Sequence, residues 1–511
     1  YVLIFSSGDP PELTSFQLMI KNRETLNLRS ILTALCSALG TLGNLCAVPA
    51  DFPIVAEDLT VSLFARDPIV RNPCALTFDS RGRPCVSMGP QYRSPDPDTE
   101  PDSVWILKDQ DKDGLADARH KFATGFNSIQ GLAWKGDWLW IANAPDLTRV
   151  RDTDGDDVAD EYVRVYTDLG NLEHGLHGLN FGPDGRLYMS KGNSKGLSII
   201  PDRLAPRAFR ELWSIEVPPG TPEPQPTIFT AASYQKNYQN PRDDWGVTGG
   251  ILRCNDDGSN LEIISRGFRN PWDIAFDNRF DWLGTDNDQT MGDKIFTPFF
   301  GSHFGWGHPW SYDWKGDDHL PTAPSSGPLF EGSGAGVIHC AIPGYPNNYN
   351  NVFFINDWLN REIFIYRSRW DGAWRKPDRL QLEVLAHAGG GRSMPLSKGR
   401  SFDPVDIEMG PDGAIWITSW GRQYGAHYEN NKLANEGRIY RLWPRDYFPS
   451  YPSRDTRTVE GLIADLGSHL PAWRTNAQEE LIRRGKSIEP SLRAALRKPD
   501  LSVALETWLV W

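Results

Sequence analysis

Two histidines three residues apart open the stretch LEHGLHGLNFGPDGRLYMSKGN, residues 172–193, in a glycine-lined turn ahead of an alternating strand. A neutral imidazole, with an ordinary pKa near 6.5, can take a proton at neutral pH, so His174 or His177 at the mouth of a strand is a candidate general base. The competing reading is a turn histidine whose ring bonds a neighbouring carbonyl. A second constellation is acidic. Asp109, Asp111, Asp113 and Asp117 follow D-x-D-x-D-G-x-x-D, and Asp152, Asp154, Asp156 and Asp160 repeat almost the same spacing. Alternate carboxylates in a tight glycine turn converge on a hard cation such as Ca2+, which takes oxygen ligands. Neither loop carries the glutamate of a full EF-hand, and a solvated acidic turn is the other reading.

The elements that must position these residues form a repeat. ALTFDSRGRPCVS, GLAWKGDWLWIA, GLNFGPDGRLYMS, DIAFDNRFDWLGT and VDIEMGPDGAIWITS each join two alternating strands through a Gly/Asp turn, and NVFFINDWLNREIFIYR is a looser sixth. Period-2 alternation recurring at blade length predicts a mainly β fold, a six-bladed β-propeller over residues 51–447. A β-sandwich also repeats strands and turns, but without a shared hairpin signature. From Asp455 to Trp511 the apolar residues take three- and four-residue steps, which predicts a short α-helical segment resembling one HEAT repeat that packs on the propeller or continues into further repeats.

The chain of 511 residues has a formal charge of -13, and no basic stripe runs along it, which excludes a nucleic-acid groove. Residues 31–46, ILTALCSALGTLGNLC, follow Lys21, Arg23 and Arg29 and precede Val48-Pro49-Ala50. That layout predicts a signal peptide over residues 1–50, with Met19 as a candidate start and the mature protein exported to the periplasm or cell surface without a membrane span. A buried N-terminal helix is the rival. Cys74 and Cys85 flank a hairpin, so a disulfide and two buried thiols both remain open.

The opening stretch, together with SRGFRNPWDIAFD, GTDNDQTMGDKI and FGSHFGWGHPW, resembles the soluble quinoprotein glucose dehydrogenases and the related sorbosone and pyranose dehydrogenases. The resemblance spans roughly residues 55 to 445. It implies a six-bladed propeller that oxidises a sugar or alcohol with pyrroloquinoline quinone (PQQ) and Ca2+ and passes electrons to an external acceptor such as a cytochrome c. Counting back from Gly182-Pro183-Asp184 puts the family's base on His174, and its R-N-P element matches Arg269-Asn270-Pro271. The resemblance thus implies His174 and Arg269 as catalytic, Asn270, Arg361 and Asn193 as cofactor-binding, and an axial Ca2+ held at Asp288-Gln289. A closer resemblance is to the membrane-bound dehydrogenase group of planctomycete-type bacteria, which join a propeller to helical repeats and often to a cytochrome c module; the 511 residues hold no C-x-x-C-H.

The chain departs from the family pattern at several positions. Asn193 stands where the family has the aspartate that orients the base, Asp403 and Val405 stand at two arginine positions, and Asn360 stands at a lysine position with Arg361 beside it. The three carboxylates of the quinone are left short of cations, with Arg361, Arg392, Arg400 and Arg422 as the replacements available. His303, His308 and His339 are further candidate ligands, and FGWGHPW reads as blade core or as a sugar platform. Two other functions fit the same fold: a Ca2+-dependent lactonase or hydrolase, and a non-catalytic carbohydrate- or protein-binding propeller.

Overall fold

An alternating stretch buries one face and must pair its backbone donors and acceptors with a neighbour, so each repeat becomes an antiparallel hairpin. The computed structural model describes residues 52–92, 99–144, 146–167, 173–193, 206–212, 218–234, 248–287, 293–306, 322–327, 332–379, 382–389, 402–420, 428–429, 432–433 and 437–511. Ala50–Trp511 forms one compact unit, and the expected signal segment lies outside the described residues. No helix among the described residues is long and apolar enough to cross a membrane.

The innermost strands are Pro73–Phe78, Ile129–Lys135, Leu176–Phe181, Pro271–Phe276, Gly334–Cys340 and Pro404–Met409. Each touches the next, and the sixth touches the first. The fold is mainly β, a six-bladed propeller. Its ring closes through the N-terminal side of the unit: Leu59–Arg66 pairs antiparallel with Arg438–Pro444, so blade six is built from both ends of the propeller. Ile54–Val55 adds an edge strand to blade five. The core is a set of wedges between blades, such as Ile338, Phe354 and Ile363 of blade five against Ile407, Ile415 and Tyr440 of blade six.

Two devices recur around the axis. All six innermost strands shift register near their start, and in three blades a hydroxyl of the second strand crosses to the next blade. Ser190 Oγ donates to Trp272 O (2.7 Å), Thr285 Oγ1 to Ala335 O (2.9 Å) and Thr418 Oγ1 to Cys74 O (2.7 Å). The third residue of the innermost strand is Ala75, Gly131, Gly178, Asp273, Gly336 or Asp406. At Gly131 a Cβ would run into the carbonyl of His177, so close approach of neighbouring strands selects glycine there.

One expectation is corrected. NVFFINDWLNREIFIYR supplies the second and third strands of blade five, Val352–Asp357 and Glu362–Tyr366. The first is Gly334–Cys340, joined by a longer connection that hides the turn signature. Of the two readings left open for Cys74 and Cys85, the structure holds the buried thiols: Cys74 packs at the upper end of the channel with Trp272 and Val405, while Cys85 lies between blades one and two. The C-terminal segment forms helices Val459–Leu466, Pro471–Arg484, Glu489–Leu496 and Val503–Val510. Thr458 and Ser502 cap the first and last by accepting Gly461 N–H and Leu505 N–H.

Candidate functional site

Because strands alternate in direction, residues before an innermost strand and after a second strand gather at one mouth of the axial channel, here called the upper mouth. His174 precedes Leu176–Phe181 and Asn193 follows Leu187–Lys191; Arg269 and Asn270 precede Pro271–Phe276, and Asp286 ends Trp282–Asp286. His174 is 1% exposed, and its Nδ1 lies 2.7 Å from Asn193 Oδ1. An amide oxygen there fixes the proton on Nδ1 and leaves Nε2 as a proton acceptor. Asn193 N–H in turn donates to Arg269 O (2.7 Å), which ties the imidazole's partner to the next blade.

The two opening histidines separate. His177 lies inside the strand, stacked on Trp272 with ring centroids 4.1 Å apart, and its Nε2 is 2.7 Å from Asn270 Oδ1. Burial pushes it down to about 3, so it stays neutral and exchanges no proton near pH 7. Asn270 is thereby held by His177, and its N–H donates to Asp286 Oδ1 (2.8 Å). Arg269 donates through Nη1 to Asn287 O (3.0 Å). In blade five Asn360 Nδ2 donates to Asp357 Oδ2 (2.7 Å), and Arg361 Nε donates to Asp403 Oδ1 of blade six (2.7 Å) with both side chains 2% exposed.

These contacts bear on the cofactor. PQQ carries three carboxylates and needs cations aimed at it. Arg361 is committed to Asp403, Lys294 to Asp286 (3.4 Å), and Lys191 to the carbonyl of Gly192 (3.0 Å). Below them Cys74, Trp272, Ala335 and Val405 pack with Tyr92 and Trp420 into an apolar plug. The described residues do not fit a tricarboxylate quinone. Asp288, Gln289, His308, Arg392, Arg400 and Arg422 lie outside the described residues.

The acidic loops are elsewhere. Each joins the third and fourth strands of its blade, in blades one and two, on the outer part of the face opposite His174. Asp109, Asp111 and Asp113 bring ligand oxygens within 4.8 Å of one another, as do Asp152, Asp154 and Asp156. Asp117 and Asp160, expected to join them, fall outside the two triads and accept N–H from Gln110 (3.3 Å) and Thr153 (2.6 Å); Asp109 and Asp152 within the triads accept loop N–H groups as well. His303 accepts Gly305 N–H (2.9 Å), and His339 faces Asn351 (3.3 Å) in blade five; neither joins His174. Sequence reasoning missed Asp273, Asp406 and Glu408 on the channel wall. Their signal was a carboxylate inside an otherwise apolar innermost strand.

A domain of unknown function, DUF7133, matches residues 52–211. No curated protein matches the sequence. Among solved structures, a Trichoderma reesei carbohydrate-active enzyme of family AA12 is 14% identical with a TM-score of 0.50, covering 78% of this chain and 100% of its own. The PQQ-bound aldose sugar dehydrogenase of Streptomyces coelicolor is 15% identical with a TM-score of 0.46, covering 76% and 99%. The soluble aldose sugar dehydrogenase of Escherichia coli, in its apo form, is 14% identical with a TM-score of 0.44, covering 76% and 100%. At these identities the likeness concerns the fold.

Proposed function

We propose that the upper mouth is the active site of an exported sugar- or alcohol-oxidising propeller, with His174 as general base. The observation that carries the reading is the 2.7 Å contact from His174 Nδ1 to Asn193 Oδ1, which sets the tautomer with the proton on Nδ1 and makes Nε2 the basic nitrogen of the ring. Oxidation of a secondary or hemiacetal hydroxyl breaks O–H and C–H together: His174 Nε2 takes the proton, and the carbon gives its hydride to a two-electron acceptor. Arg269, anchored on Asn287, would steady the oxygen as charge develops. Asn193 carries no charge, so it orients the ring without stabilising an imidazolium as an aspartate would.

PQQ with Ca2+ is the acceptor that the resemblance implies, and it would supply hydride acceptance at a polarised carbonyl. No step is assigned to it, because the nearby cations serve protein carbonyls and carboxylates. Ca2+ is proposed for the two aspartate triads on the opposite face, where it would brace loops and take no part in chemistry. A second reading, a non-catalytic carbohydrate- or protein-binding propeller, is favoured by the buried Arg361–Asp403 pair and the apolar plug.

The test is dye reduction by the purified chain with a panel of aldoses and alcohols, with and without PQQ and Ca2+, alongside lactone hydrolysis. Sugar-dependent turnover that falls about 100-fold or more in His174→Ala, with an unchanged circular dichroism spectrum, supports the base. Saccharide binding without turnover under any acceptor selects the second reading, and lactone cleavage needing only Ca2+ overturns both.

A further inference from the structure

The lower mouth is closed by the chain's own helix Pro471–Arg484, which reaches the inner hairpin turns of blades one, two, three, four and six. Asn476 Nδ2 donates to Ser80 O (3.2 Å), Glu479 pairs with Lys135, and Gln478 Nε2 donates to Pro183 O (2.6 Å). Arg474 Nη1 donates to Asn278 Oδ1 (3.2 Å), and Trp473 Nε1 donates to Pro411 O (2.9 Å). Behind this stopper lies a cavity of about 120 Å³ lined by Thr77, Asn180, Glu408, Thr475 and Asn476.

Three carboxyls from two blades line the shaft above it. Asp273 accepts Asn180 Nδ2–H (3.0 Å), Ile274 N–H (2.8 Å) and Val337 N–H (2.9 Å); Asp406 accepts Leu76 N–H (2.7 Å) and Ile407 N–H (2.9 Å). Glu408, two residues on from Asp406, lines the cavity itself. The facing elements offer Thr77, Ala133, Asn180, Ile338, Thr475 and Asn476, none of them charged, while Lys135 and Arg474 turn to Glu479 and Asn278. Burial pushes Asp273 up to about 7, and burial with like neighbours pushes Asp406 and Glu408 upward as well; among the described residues no cation offsets them. The helix begins at Pro471 beside the cavity. Its N-terminal dipole, roughly half a positive charge, attracts the ionised carboxyls, so what unseats the helix is their hydration, which the closed mouth denies them.

We propose that helix Pro471–Arg484 is a proton-linked stopper, seated while Asp273, Asp406 and Glu408 are neutral and released from the lower mouth as they ionise. Released, it opens the shaft from below. The inference rests on the lower mouth and is independent of the reading of His174.

The test is carried out on the full chain in EDTA, so that any Ca2+ on the acidic loops cannot contribute. Thr475→Cys lines the cavity, and Lys498→Cys is exposed on the tail; each modification rate is divided by that site's own thiolate fraction, read as ultraviolet absorbance against the parent chain, and the ratio of the first to the second then follows access to the cavity. The ratio is expected to rise about tenfold between pH 6 and pH 9. It should stay flat when Asp273→Asn, Asp406→Asn and Glu408→Gln are added together, and the rise should shrink with Glu408→Gln alone if the triple change fails to fold. A ratio that is constant or falls with pH, or a full rise that survives removal of the carboxyls, overturns the proposal.

Discussion

The two mouths of the channel are made from the same six hairpins, yet one is a network of polar side chains and the other a row of turns under a helix. At the upper mouth a contact such as Arg361–Asp403 joins blades through buried ionic groups. At the lower mouth Trp473 does comparable work with an indole, its Nε1–H on Pro411 O and its ring 4.1 Å from the Arg454 guanidinium. The difference teaches where chemistry can live. Short turns leave no room for variable side chains, whereas the connections after second and before innermost strands are free to carry them.

The largest expected effect breaks the upper mouth alone. His174→Ala should reduce turnover by about two to four orders of magnitude, whereas His177→Ala should act on turnover only through stability; both remove a buried ring and should lower stability in urea unfolding, so the loss of turnover beyond that of His177→Ala measures the base. Next, Arg361→Ala leaves Asp403 as a buried charge without its guanidinium and should cost about 3–5 kcal/mol in the same assay. On the other side, Trp473→Ala should cost about 3 kcal/mol. Its loss should appear as loosening of the tail, measured by proteolysis between Pro444 and Val459, and not as loss of the ring.

An effect of comparable size sets the mouths apart by pH. A carboxyl whose folded pKa is raised holds its proton longer in the native state, so its contribution is fully present below the ordinary range near 4 and is lost as pH rises to about 7 for Asp273. Stability should therefore fall across that window, by about 1.4 kcal/mol for each unit by which the pKa is raised, and Glu408→Gln should flatten the upper part of the slope. The smallest effect concerns the acidic loops. Ca2+ should raise the melting temperature in a concentration-dependent way and EDTA should reverse it, while Asp111→Asn should weaken the response without touching turnover.

Much of this was legible in the sequence and some was not, for reasons particular residues show. GLNFGPDGRLYMS announces its hairpin because alternation and a Gly-Pro-Asp-Gly turn are both local. Blade five escaped because its first connection is long. His174 and Asn193 flank one hairpin, so their pairing follows from the two strands between them. Arg361 and Asp403 sit in different blades, and no spacing along the chain predicts that a guanidinium expected for a cofactor is spent on a carboxylate.

The sequence by itself determined the ring: the strand period, the turns, the number of repeats and the change to helical spacing are properties of neighbours along the chain. Only the tertiary structure decided what the ring encloses. Asp273 and Asp406 meet across an axis, Leu59–Arg66 closes on Arg438–Pro444, and a helix near the C-terminal end seals the lower mouth. Those contacts depend on six small rotations adding to a full turn, and that sum is written in the packing between blades and not in any one of them.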